Sequence, residues 1–262
     1  LKIRVWENTD LTGVDENTMV HGMAGRIVDQ KGIDIWAGGI EKYYERGNYN
    51  KENPPVFYLQ GVGEAKFIER FLEVKAKIAK KDPKAANRMV FAGVFSEAGR
   101  YDGCKIMSDF SGMPSWDEPC GLVQMEVMPK GVLPIATSTG GLVSTITDQK
   151  DGFLSTAFYD GKDNYYNNSG KVMYVGTQSR DIPETNWKGY EDAMVRALHT
   201  FFKLPNKLEK MQRTAMEKDF SWTTSNGPLE KYMKLMKEGK FEDRQPTFFD
   251  MPDETDTKEY TI

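Results

Sequence analysis

Short apolar runs, each closed by glycine or a polar turn and each followed by a stretch of helical periodicity, constrain this chain more than any other feature. Met19 to Gly25 is strand-like and ends in glycine. Ile33, Trp36, Ala37, Ile40 and Tyr44 then recur at helical spacing. Val56 to Leu59 reads as a buried strand, and Phe67, Phe71, Val74 and Ile78 mark an amphipathic helix within Glu64 to Lys81. Met89 to Ala92 is a further strand, Ile106 to Phe110 a weaker one, and Val132 to Ala136 another. Strands that alternate with helices call for a parallel sheet, because a parallel pair needs a long crossover and buries both of its faces. The expected fold class is therefore α/β, a Rossmann-like parallel sheet with helices on both faces. Ligands of such sheets sit beyond the carboxyl ends of the strands. Arg26, Gly93, Glu118 and Thr139 each follow an expected strand, so four loops converge on one edge.

Bulk properties exclude several classes. The chain has 262 residues, with 35 Lys+Arg against 39 Asp+Glu and a net charge of −4. That balance gives no reason to expect nucleic acid or an acidic membrane surface as partner. No apolar run approaches the ~18 residues of a membrane span, and no signal peptide is visible. Two cysteines, Cys104 and Cys120, make no disulfide framework and suggest a reducing compartment. The first residue is Leu1, which suggests a fragment or a processed product.

The stretch Pro114 to Leu142, PSWDEPCGLVQMEVMPKGVLPIATSTGGL, holds the chemistry. It reads as a loop carrying Glu118, a helix through Leu122, Met125 and Met128, a short strand, and the glycine loop Thr139-Gly140-Gly141. A helix starting near Gly121 presents free N–H groups to the loop, and such groups favour anions. The backbone of Gly121, Leu122 and Val123 would then face phosphate, and Gly140 and Gly141 would let the chain approach the same ligand closely. Upstream, Arg26 and Lys31 lie across a loop-to-helix junction, where two cations can neutralise a departing diphosphate. A solvated basic loop is the plainer reading of that pair. For Glu118 the plainer reading is a carboxylate that caps the following helix. Cys120 has no nearby histidine in sequence and reads as a small packing residue rather than a nucleophile. Gly61-x-Gly63 reads as a turn.

Three motifs carry a family resemblance. EPCGL with Gln124, then Gly131, Pro134 and TGGL, resembles the C-terminal half of bacterial glycogen synthases and plant starch synthases. Arg26 to Gly32 is similar to that family's basic RxxxQKG loop, and Asp219-Phe220-Ser221-Trp222 matches its late DFSW. Order and spacing agree over roughly Met19 to Trp222. The sequence departs from the family at Val123, where Asn or Thr is common, and at Trp116-Asp117, which replaces Arg-Phe.

The resemblance implies the C-terminal, nucleotide-sugar-binding lobe of a two-lobed (GT-B) retaining glycosyltransferase. Glucose would pass from ADP- or UDP-glucose to an α-1,4-glucan acceptor without metal or other cofactor. Arg26 and Lys31 would clamp the diphosphate and Glu118 would hold the sugar hydroxyls. Gly25, Gly93, Phe95, Cys120, Gly121, Leu122, Val123, Thr139, Gly140 and Gly141 would line the nucleotide sugar. Phe95 could equally pack in the core. The family's N-terminal lobe is not represented in these 262 residues, so a non-catalytic module that binds nucleotide sugar or glucan is the alternative. The cytoplasm, or a plastid for a plant-like parent, is the implied location.

The remaining segments divide as a lead-in over 1–18, the main domain over 19–237 with an insertion at 155–186, and a charged tail over 238–262. The insertion, rich in Asp, Asn, Gly and Tyr, reads as a surface loop or hairpin, with a glucan contact through Tyr159, Tyr165 and Tyr166 as the sharper possibility. Tyr190, Met194, Ala197, Leu198 and Phe201 mark one late helix, Leu208, Met211 and Met216 a second, and Leu229, Tyr232, Met233 and Met236 a third. The Met-rich faces of these helices read as core or interface, and Phe220 and Trp222 as packing toward a partner domain. The tail reads as poorly ordered.

Overall fold

The computed structural model describes residues 9–47, 49–94, 107–155, 165–166, 172–173, 184–225 and 227–238. Within them, a six-stranded parallel sheet runs in the order β3-β2-β1-β4-β5-β6. Its strands are β1 (Val20–Ala24), β2 (Val56–Gln60), β3 (Met89–Ala92), β4 (Phe110–Met113), β5 (Leu133–Ala136) and β6 (Phe153–Leu154). Helix α1 (Ile33–Arg46) joins β1 to β2, and α2 (Ala65–Ala79) and α3 (Pro83–Asn87) join β2 to β3. The short α4 (Val123–Val127) joins β4 to β5, and α5 (Gly140–Thr145) joins β5 to β6. The sheet grows in one direction from β1 and in the other from β4. Right-handed crossovers therefore place the two sets of helices on opposite faces.

Helix α6 (Glu184–Lys203) packs on α1, β5 and β6, and α7 (Pro205–Met216) follows it. The core between sheet, α1 and α6 is aromatic. Trp36, Phe57, Phe71, Phe110, Phe153 and Tyr190 are fully buried. Trp36 stacks on Phe71 with centroids 5.5 Å apart and planes 11° apart. Three polar tips meet above Gly112, where a Cβ would come 3.0 Å from His21 Nε2 and from Trp36 Nε1. Trp36 Nε1 donates to His21 Nε2 at 3.4 Å, and the Tyr190 hydroxyl donates to the Ile135 carbonyl at 3.2 Å. Burial drives the His21 pKa down to about 3, so the imidazole stays neutral in this setting.

Three expectations shift. The strand expected over Ile106 to Phe110 is β4 (Phe110–Met113), which starts where the expected run ends. Ser111 and Gly112 carry no apolar signal, yet a central strand with neighbours on both sides is set by backbone pairing. Of the helix expected on Leu122, Met125 and Met128, Met128 is buried as expected, but Gln124 and Val127 are the other buried positions and Leu122 is 63 % exposed. The five residues of α4 give way to a 3-10 turn (Met128–Lys130), because Pro129 has no N–H to continue the ladder. Met216, expected on a buried face, is 54 % exposed, whereas Met211 is buried.

The chain divides into two compact units, 1–218 and 219–262. In the second, Trp222 stacks on Tyr232 with centroids 5.8 Å apart, the Leu229 N–H donates to the Trp222 carbonyl, and α8 (Pro228–Glu238) carries Leu229, Met233 and Met236. Of the expected insertion, residues 165–166 pair antiparallel with 172–173 as β7 and β8. The Tyr159, Tyr165 and Tyr166 side chains and the tail beyond 238 lie outside the described residues.

Candidate functional site

The sheet reverses its order between β1 and β4, which makes the carboxyl ends of those two strands the topological switch point. The loops leaving them are residues 25–32 and 114–122. Three contacts join the two loops. The Trp116 N–H donates to the Gln30 carbonyl at 2.9 Å, Gln30 Nε2 donates to the Asp117 carbonyl at 2.7 Å, and Lys31 Nζ donates to Glu118 Oε2 at 2.5 Å. Gly32 makes the junction possible. Its φ is +62°, and a Cβ there would lie 2.0 Å from the Pro114 carbonyl oxygen. A side chain at this position would push the two loops apart.

Glu118 is 8 % exposed, and its side chain is held from two sides. Ser115 Oγ donates to Oε2 at 3.0 Å, the same oxygen that accepts from Lys31. Oε1 has no donor among the described residues. The side chain caps no helix: α4 begins without a side-chain cap, so the capping reading of Glu118 is replaced by an ion pair. The two expected catalytic partners Lys31 and Glu118 are thus in direct contact, 87 residues apart in sequence.

The loop after β5 closes the third side. Thr137 Oγ1 donates to the Ser115 carbonyl, and Thr139 Oγ1 to the Trp116 carbonyl at 3.4 Å. The Gly141 N–H donates to the Glu118 carbonyl at 2.8 Å. A Cβ on Gly140 would stand 2.3 Å from that same carbonyl oxygen, and one on Gly141 would stand 2.1 Å from the Cys120 carbonyl oxygen. The close approach expected of these glycines is therefore made to the Glu118–Cys120 backbone itself. The Thr139 hydroxyl and the Gly141 N–H are already engaged by the backbone of this loop.

The other expected residues fall as follows. Arg26 is exposed and has no ion-pair or hydrogen-bond partner among the described residues. Gly25 donates its N–H to the Gln60 carbonyl at 3.1 Å and has open space where a Cβ would be. Gly121 has φ +71° and makes room for the Gln124 amide, whose Nε2 donates to the Cys120 carbonyl at 3.1 Å and to Thr145 Oγ1 at 3.0 Å. The N–H groups of Gly121 and Leu122 have no acceptor among the described residues. Val123 opens α4. Cys120 is a free, exposed thiol, which overturns its reading as a packing residue. Gly93 closes β3, three strands from β4, about 14 Å away at the usual strand spacing. Phe95 lies outside the described residues.

Several supporting residues went unread in the sequence. Ser115 and Thr137 carry no motif. Gly61-x-Gly63 is more than a turn: a Cβ on Gly63 would stand 1.9 Å from the Ile27 carbonyl, which accepts from the Glu64 N–H at 2.8 Å. The loop after β2 thus braces the Arg26 loop. Asp34, in the first turn of α1, has its carboxyl pushed up to about 6, chiefly by burial, with the Asp29 charge adding a little. Among the described residues no group of His, Cys, Asp and Glu has the arrangement of a metal site, and no helix is long and apolar enough to cross a membrane.

No protein-family model matches the chain. A glycogen synthase of Paracidovorax citrulli (strain AAC00-1) is 30% identical over 211 residues, 80% of this chain and 34% of that protein. The granule-bound starch synthase 1 of Arabidopsis thaliana is 30% identical over 223 residues, 85% of this chain and 30% of its own length. The catalytic domain of Arabidopsis thaliana starch synthase IV, solved with ADP and acarbose, superposes with a TM-score of 0.60 at 24% identity, over 87% of this chain and 40% of that one. The chain spans about a third of the length of these curated relatives. Over the stretch it shares with them the chain is similar to glycogen and starch synthases, and its parallel sheet has the Rossmann-like fold of the starch synthase IV catalytic domain.

Proposed function

We propose that the chain is the donor-binding lobe of a glycogen- or starch-synthase-like glucosyltransferase. It would hold ADP- or UDP-glucose at the switch point and pass glucose to an α-1,4-glucan with retention at the anomeric carbon. The observation that carries this reading is the meeting of three loops around Glu118. One oxygen of its carboxylate is pinned by Lys31 and Ser115, and among the described residues neither the other oxygen nor Arg26 on the neighbouring loop has a partner.

Each group has a role set by its chemistry. Arg26 offers a planar, permanently charged fork that suits phosphate oxygens. Lys31 adds a mobile point charge. The free N–H groups of Gly121 and Leu122 supplement them, and with α4 only five residues long they act as individual donors rather than as a helix dipole. Glu118 Oε1 can accept a hydroxyl of the glucosyl ring. As the bond from the anomeric carbon to the diphosphate oxygen breaks, negative charge grows on the diphosphate, and the two cations stabilise it. Gly25, Gly93 and Phe95 would attend the nucleoside end. The acceptor side of the cleft would come from a second lobe outside these residues. No step calls for a metal or other cofactor, and the reducing setting suggested by the cysteine content suits the cytoplasm or a plastid. Calorimetric titration of ADP and UDP into the chain and its Arg26→Ala variant tests the reading. Arg26→Ala should weaken binding roughly 10- to 100-fold, the loss expected for one charge-assisted contact, with an unchanged thermal midpoint. Equal affinity in both proteins would overturn the phosphate clamp.

A further inference from the structure

We infer that the Lys31–Glu118 ion pair is exchanged when the donor binds: the nucleoside diphosphate takes Lys31, and the released Glu118 carboxylate accepts a sugar hydroxyl, so that the two halves of the donor bind with positive coupling. The inference rests on the donor-binding reading above and adds to it an order and an energy link between the two subsites.

Three observations support it. First, the cations expected to share the diphosphate are not equivalent. Arg26 is exposed and has no partner among the described residues, whereas Lys31 is bound to Glu118 at 2.5 Å with its side chain 24% exposed. A diphosphate carries more than one negative charge, and Arg26 alone leaves it under-compensated beside a carboxylate. Drawing Lys31 toward phosphate supplies the missing positive charge.

Second, the two donors to Glu118 share one oxygen. Lys31 Nζ and Ser115 Oγ both reach Oε2, and Oε1 has no donor among the described residues. When Lys31 departs, Ser115 still holds the carboxylate in place. The charge previously neutralised by lysine is then free to strengthen a hydroxyl contact, since hydrogen bonds to an uncompensated carboxylate are the stronger kind. Glu118 is buried, so water offers little competition for that role.

Third, the frame around the pair is fixed while Lys31 itself is not. Gly32 against Pro114, Gln30 against Trp116 and Asp117, and Gly140 and Gly141 against the Glu118–Cys120 backbone hold the loops. Lys31 sits in a single 3-10 turn (Asp29–Lys31) on a flexible four-carbon stem, so Nζ can swing without moving the backbone.

A ligand-linked exchange of this kind must be reciprocal, so ADP tightens glucose binding by the same factor as glucose tightens ADP binding. The test measures glucose affinity by NMR with carbon-13-labelled glucose, in the free chain and in the chain saturated with ADP (in parallel, UDP). Affinity should rise about tenfold with nucleotide, within the usual range of coupling between sites. Lys31→Met keeps the stem and removes the charge, so it should bind glucose equally well with and without nucleotide, at the tighter value. Lys31→Arg should retain coupling. A wild-type coupling factor of one, no glucose binding by the ADP-saturated chain, or coupling that persists in a folded Lys31→Met variant would each overturn the exchange. If the wild-type chain binds neither ADP nor UDP, it is the donor-binding reading that fails, and the inference falls with it.

Discussion

Gly141→Ala sets two opposed effects against each other, and the structure decides between them. Gly141 lies in the first turn of α5, where replacing glycine by alanine ordinarily stabilises a helix by up to about 1 kcal/mol. Its φ lies outside the left-handed region, so backbone strain plays no part. The added Cβ would stand 2.1 Å from the Cys120 carbonyl oxygen and 2.6 Å from both the Cys120 carbonyl carbon and its Cα. All three are backbone atoms, which cannot rotate aside. Overpacking of this kind costs about 1–3 kcal/mol. The displacement also breaks the bond from the Gly141 N–H to the Glu118 carbonyl, worth about 1 kcal/mol. The net expectation is a destabilisation of about 1–3 kcal/mol, read as a lower urea midpoint at unchanged slope. The same displacement moves Glu118 and the Gly121 N–H, so ADP affinity should fall by an order of magnitude or more. A variant as stable as the parent, or more stable, would refute the interlock of the two loops.

Other expectations follow from the same geometry. Gly63→Ala should lower stability by about 1–3 kcal/mol and weaken nucleotide binding, because its Cβ would meet the Ile27 carbonyl 1.9 Å away and shift the Arg26 loop; unchanged ADP affinity would contradict the bracing role. Burial pushes the Asp34 carboxyl up to about 6 from its ordinary value of 3.8. Its favourable contribution is therefore complete below about pH 3.8 and lost as the pH rises through 6. Asp34→Asn should be more stable than the parent by about 2 kcal/mol at pH 7.5 and should lose that advantage near pH 4, as followed by thermal midpoints across pH. Lys31→Met should cost about 1–2 kcal/mol of stability, between the values for exposed and buried pairs, because it leaves the buried Glu118 carboxylate with Ser115 alone.

Much of this architecture was legible because its signals are local. The runs at Val56, Met89 and Val132 and the periodicity of Phe67, Phe71, Val74 and Ile78 specify strand and helix directly, and alternation specifies a parallel sheet. β4 was displaced because Ser111 and Gly112 contribute backbone pairing rather than apolar side chains. The motif loops were found, but their partnerships were not. Lys31 meets Glu118, and Gln30 meets Trp116 and Asp117, only because β1 lies beside β4, and sequence spacing carries no trace of that adjacency. The glycines of TGG were read as space for a ligand, and the structure fills that space with the Glu118–Cys120 backbone. A glycine reports that something approaches closely, without saying what. Ser115 and Thr137 had no signal, since a buried hydroxyl that holds a loop resembles any other serine or threonine in sequence.

The location of the donor site is the central claim, and backbone amide hydrogen exchange with and without ADP-glucose tests it most directly. Protection should appear at residues 25–32 and 118–123, with the free N–H groups of Gly121 and Leu122 gaining most, and at 139–141 through the loop they support. The stretch 222–237, where Trp222, Leu229, Met233 and Lys237 line a groove within the second unit, should be unaffected. Protection centred on 222–237, or none at the loops after β1 and β4, would contradict the account.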